Sequence, residues 1–186
     1  MAEPAPSASS PSAAPPRVPL VDYVVVFLIL LATGGALVSI TRAAPSFDRE
    51  PRALLQPVFS MVLLTAIVWL GMAFVRNGAV ALGVASVRYY ATYDRDAPPD
   101  WIERPARAFN NLMEIPMLFY VLAALELALH RIDSAEVTLA WLFVGSRVVH
   151  AAVYVLWNRV SIRFAAYTAG CVTLAVMWAR FAASTL

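Results

Sequence analysis

The chain reads as an all-α integral membrane protein, and three observations carry that reading. Hydrophobic residues make up 61% of its 186 positions and charged residues 14%. Mean hydropathy is +0.69, a balance found in bilayer-spanning chains rather than around soluble cores. The apolar residues also fall into runs of about 20, the length a helix needs to cross about 30 Å of hydrocarbon. Finally, the runs are separated by short connectors in which arginine and proline gather, so each has its own boundaries.

Composition also excludes some classes. A net charge of +2 is too small to argue for a nucleic-acid partner, and all 14 basic residues are arginine. The single Cys171 rules out an internal disulfide and any multi-cysteine metal site. The only histidines, His130 and His150, are too few for zinc without carboxylate help, so no metal is expected.

Taken in order, residues 1–19 are mostly Ala, Pro and Ser and cannot bury a core, which predicts a disordered tail. Leu20 to Thr41 is apolar apart from Asp22 and long enough to span a bilayer. A cleaved signal peptide competes with a retained helix here, since Ala32, Gly34, Gly35 and Ala36 offer small residues for processing. The proline-rich preamble, with no early basic region, favours retention. Arg42 to Arg52 is a polar connector kept from helicity by Pro45 and Pro51. A second span is expected from Gln56-Pro57 to Val75, with proline in its first turn.

Arg76 to Glu103 is the longest polar connection, with Arg88, Arg95 and the amphipathic rings of Tyr89, Tyr90, Tyr93 and Trp101 suited to the headgroup layer. Pro105 opens a third span ending near Leu129. Asp133 to Glu136 has the pattern of a capping box for a fourth span, Val137 to Trp157. A basic turn, Asn158 to Arg163, leads to a fifth from Phe164 to Phe181. The connections holding Arg76 to Arg107 and Arg159 to Arg163 share one side and carry more arginine than the other. The positive-inside rule puts that side, and the N-terminus, in the cytoplasm.

Polar residues inside the spans mark the candidate chemistry. Arg107, Asn111 and Glu114 stand at i, i+4 and i+7, one face of a helix, and Pro116 bends that helix just beyond. Arg147, His150 and Tyr154 stand at i, i+3 and i+7 on the fourth span, with Arg163 and Tyr167 at i and i+4 beyond the turn. Two readings stay open at this level. Arg147 pairs with Glu114 while Arg107 and Arg163 snorkel to headgroups, or the surplus of cations receives an anionic ligand. His150 alone reads as a packing residue.

These residues in this order resemble the signature of the MAPEG superfamily, the membrane-associated proteins in eicosanoid and glutathione metabolism. The carriers are Arg107, Asn111, Glu114 and Pro116, then Arg147-Val-Val-His150 with Tyr154, then Ile162-Arg163 with Tyr167. The likeness covers residues 54–186 and is nearest to a bacterial branch of small relatives. It implies a MAPEG-like four-helix transmembrane bundle, here with an additional N-terminal transmembrane helix at 20–41, assembling as a homotrimer with glutathione between subunits. It places Arg107, Asn111, Glu114, Tyr154 and Tyr167 around the tripeptide and makes Arg163 the catalytic arginine that stabilises the thiolate. Phe164 departs from the pattern, standing where several eicosanoid-forming members have Ser or Thr.

The implied function is a glutathione-dependent transferase or peroxidase acting on hydrophobic, lipid-soluble substrates. The alternative is a non-catalytic protein of the same type, binding a lipid or anionic amphiphile in the inter-subunit groove. A small transporter, with buried Glu and His relaying protons, is a third reading.

Overall fold

A computed structural model describes residues 19–42, 46–93 and 97–185. The tail expected at 1–19 lies outside the described residues apart from Pro19, and so do Pro45 and Arg95. The described chain is helical throughout its ordered elements: α1 (Leu20–Thr41), α2 (Pro51–Ala81), α3 (Val87–Thr92), α4 (Asp100–Glu114), α5 (Pro116–Ala128), α6 (Ser134–Leu156) and α7 (Val160–Thr185). α1, α2, the α4–α5 pair, α6 and α7 form five segments long and apolar enough to cross a membrane. The protein is an all-α integral membrane protein.

Several helix ends differ from the sequence expectation. α2 starts at Pro51, whose missing amide hydrogen costs nothing at the first helical position. Pro57 therefore lies inside α2 and buried, where it leaves the Ala53 carbonyl without an amide donor. The basic turn is shorter than expected. α7 begins at Val160, and the Arg163 amide already donates to the Arg159 carbonyl at 3.0 Å. Arg163 thus stands in the first turn of a helix instead of in a loop.

The third span is jointed at Ile115, between Glu114 and Pro116, as the proline's missing donor to Leu112 requires. Asp133 caps α6, its Oδ1 accepting from the Glu136 amide at 2.7 Å. The reciprocal half of the capping box is not made, because the Glu136 side chain turns to Arg180 instead.

α6 and α7 form the most extensive helix pair, with α2 and the α4–α5 span packed on α6 and α1 laid against α7. The core between them is fully buried at Leu54, Met61, Leu122, Leu139, Phe119, Phe143 and Met177. Phe119 and Phe143 stack at 4.9 Å between ring centroids, so α5 and α6 meet through aromatic faces. Outward, α2 presents Phe59, Leu63, Trp69 and Phe74, an apolar face suited to lipid or a neighbouring chain. The one buried acid on α1, Asp22, accepts from Arg159 Nη1 at 2.8 Å and ties that helix to the α6–α7 turn.

Candidate functional site

The α6–α7 turn builds the groove. Asn158 closes it in the left-handed region at φ 49°, a conformation that asparagine tolerates better than most side chains. Its Oδ1 accepts from Arg163 Nη1 at 2.7 Å. Arg163 then lies over the Tyr154 ring, Cζ 4.0 Å from the centroid. The guanidinium is thus held by an amide oxygen and a π face, with no carboxylate pairing it among the described residues.

His150 supports the same turn. Its Nδ1 sits 2.9 Å from the Arg163 carbonyl. A carbonyl only accepts, so Nδ1 carries the hydrogen and Nε2 keeps its lone pair. Nε2 is buried and has no partner among the described residues, and the ring is wedged between Tyr154 and Tyr167. Asn111 reaches the groove from α4, and its Oδ1 is likewise buried and unpartnered. Asn111, His150, Tyr154, Val160, Arg163, Phe164 and Tyr167 line a groove of about 250 Å³. Such orphan acceptors are costly to keep unmatched, and a ligand with N–H or O–H donors would satisfy them, while a carboxylate would suit Arg163.

The other named residues stand elsewhere. Arg107 is exposed and forms an ion pair with Asp100, which also accepts from Arg104 Nε at 2.7 Å. Glu114 is exposed, with no ion pair among the described residues. The expected Arg147–Glu114 pair is not formed. Arg147 is fully buried behind the groove, its Nη2 donating to the Tyr167 carbonyl at 2.7 Å and its Cζ 5.0 Å from the Tyr167 ring. Gly170 makes that placement possible, since a Cβ there would lie 2.9 Å from Arg147 Cζ. The groove therefore joins five of the eight named residues, Asn111, His150, Tyr154, Arg163 and Tyr167, backed by Arg147.

Two charged groups escaped the sequence reading. Glu126 and Arg180 lie in apolar stretches of α5 and α7, and both belong to a cluster at the far end of α6. An ionisable residue isolated in a spanning run is itself a signal, and it could have found both.

Fold and groove define a class, a helical membrane protein whose cationic groove opens at one end of the bundle. Residues 54–183 match the family model for the MAPEG family, and the chain belongs to that family. It is a membrane protein of the group associated with eicosanoid and glutathione metabolism in general. No curated protein and no solved structure matches the chain. α1 lies before the matched residues.

Proposed function

We propose that this protein is a glutathione-dependent transferase or peroxidase acting on hydrophobic electrophiles that enter from the lipid. One observation carries the reading: among the described residues, Arg163 has no acidic partner in a groove where His150 Nε2 and Asn111 Oδ1 also lack partners. A tripeptide with two carboxylates, amides and a thiol fits that donor and acceptor set. Glutathione, when bound, supplies the nucleophilic sulfur. Arg163 provides the nearby cation that a thiol of pKa about 8.5 needs in order to ionise near neutral pH. The lone pair on His150 Nε2 can accept the thiol hydrogen. Tyr154 and Tyr167 wall the groove, and Asn111 orients an amide.

The proposed assembly is a homotrimer in a bacterial inner membrane, with the N-terminus cytoplasmic. A neighbouring subunit gives exposed Glu114 and Arg107 a protein surface to face, in place of the roughly 2.5–3.5 kcal/mol that a charge costs in lipid on insertion scales. A division of the chain into a tail at 1–19, a separate transmembrane helix at 20–41 and a MAPEG-like membrane domain at 54–186 belongs to the same proposal.

Phe164 favours the second reading. It lines the groove, 65% exposed, beside Arg163 and offers no hydroxyl donor to a thiolate. The alternative is a non-catalytic protein binding a lipid or anionic amphiphile in the same groove.

Calorimetric titration of the detergent-purified protein with glutathione, followed by ultraviolet absorbance of the bound thiolate, separates the two. The enzyme reading expects saturable binding and a thiolate signal that Arg163→Leu abolishes and Phe164→Ser strengthens. No thiolate in wild type or Phe164→Ser at saturating glutathione rejects catalysis.

A further inference from the structure

The far end of α6 holds a charged cluster that the groove does not use. Glu136 and Tyr154 stand 18 positions apart, which at 1.5 Å per residue is about 27 Å, so the two ends face opposite sides of the membrane. Glu126, Asp133 and Glu136 are 1%, 2% and 4% exposed. Arg180 bridges two of them, Nη2 donating to Asp133 Oδ2 and Nε to Glu136 Oε1, each at 2.8 Å. Asp133 Oδ1 is taken by the Glu136 amide. Glu136 Oε2 and both carboxylate oxygens of Glu126 are left with no donor among the described residues.

The charges do not balance either. Three acids face Arg180, and Arg131 stands at the rim, where it donates to the Ser184 carbonyl and lies over Phe47 at 5.2 Å. With all three carboxyls ionised, one negative charge remains. A carboxylate this deeply buried is rarely left without a counter-charge. Glu126 lines a cavity of about 170 Å³ whose other walls include Phe47, Arg131, Arg180 and Phe181.

We propose that this cavity is a binding site for a primary ammonium group, with Glu126 as its anchoring anion. The site lacks one positive charge and three hydrogen-bond donors, and a primary ammonium carries both on a single atom. A metal ion is the poorer fit, because among the described residues no three His, Cys, Asp or Glu side chains are placed to hold one. Phe47 and Phe181 offer aromatic walls to the carbon adjoining the nitrogen. The cavity lies where α5 ends and α6 begins, at the level of a headgroup layer, so the ammonium has two sources. One is the ethanolamine headgroup of a phospholipid and the other a free alkylamine. A choline headgroup has the same charge but no N–H, and the site rejects it. Nothing in this proposal depends on how the groove works.

The test is thermal unfolding of the full chain in nanodiscs of choline phospholipid, of mixed choline and ethanolamine phospholipid, and of choline phospholipid with added free ethanolamine. Wild type is expected to melt about 2–4 °C higher with an N–H-bearing amine present. Glu126→Gln loses that rise. A rise with the lipid alone identifies a headgroup site, and a rise with free ethanolamine identifies a soluble amine; both support the proposal. No rise from either source overturns it, as does a rise that Glu126→Gln retains. The first of these, with Glu126→Gln at least as stable as wild type, means that a proton alone satisfies the carboxyl. Should Glu126→Gln fail to fold, native mass spectrometry of wild type decides. Preferential retention of ethanolamine over choline lipid, or retention of added free ethanolamine, supports the site, and equal lipid retention with no free amine bound removes it.

Discussion

At one end of α6, Arg163 and Arg147 rest on aromatic rings and backbone or amide oxygens; at the other, Arg180 is locked between Asp133 and Glu136. The same residue type is used in two ways. Arg163 over a ring keeps its charge unneutralised beside an open groove, so little must be broken when an anion arrives. Arg180 has spent its fork on two buried acids, and removing it strands them. The comparison teaches that substitutions at the acidic end are read out in stability, and those at the groove in binding.

The largest expected effect tests the locked end. Arg180→Leu leaves Asp133 and Glu136 buried without their cation and should cost about 3–5 kcal/mol. Chemical unfolding in mild detergent measures it, and a loss below 1 kcal/mol would show that the acids are already neutral or otherwise paired. Gly170→Ala probes the wall behind the groove. Its Cβ forces Arg147 from a packed position, and overpacking of this kind costs about 1–3 kcal/mol. If the melting temperature does not move, Arg147 has room that its burial denies.

Asp22→Asn comes next. Its partner Arg159 is half exposed, so the pair is discounted toward the surface range, and a loss of about 0.5–1 kcal/mol is expected. Limited proteolysis of the connection after α1 should then quicken, and unchanged cleavage would mean that apolar packing alone holds α1. Glu114→Gln is the smallest for stability, within about 0.5 kcal/mol, because no ion pair to a described residue is lost. Glutathione titration should nonetheless weaken if a neighbouring subunit brings Glu114 to the groove. A large drop in stability instead would place it in a structural ion pair between subunits.

The fold was legible because hydrocarbon imposes a length, and five apolar runs meet it. Helix ends were less so. Arg52 and Arg163 look like connector residues by hydropathy, yet Pro51 and the Arg163 amide show helix there, set by caps and packing that polarity does not record. Within the site, spacing placed Asn111 on one helical face and His150 and Tyr154 on another, and the groove is where those faces meet. Which charge pairs with which was not readable. Sequence supplies signs, and Arg107 found Asp100 two turns earlier in the same helix, while Arg147 settled on the Tyr167 carbonyl instead of Glu114. Glu126 and Arg180 were readable in principle, each a lone ionisable group in an apolar run, but their meeting depends on how α5, α6 and α7 converge.

α2 has a consequence for where this protein can live. It runs 31 residues, about 46 Å at 1.5 Å per residue, against about 30 Å of hydrocarbon. The surplus is polar at both ends, with Arg52 and Gln56 before the apolar stretch and Arg76 and Asn77 after it. Arg76 is pinned there to Glu103 of α4 at 2.6 Å and lies over Tyr90 of α3. A rigid rod longer than the bilayer, tethered at its far end, adjusts to a thinner membrane by sliding or tilting, without unwinding. Only the 19 residues between Gln56 and Arg76 suit hydrocarbon, about 28 Å. A thinner bilayer is therefore met by tilt, while a thicker one draws Arg76 toward lipid and should lower stability.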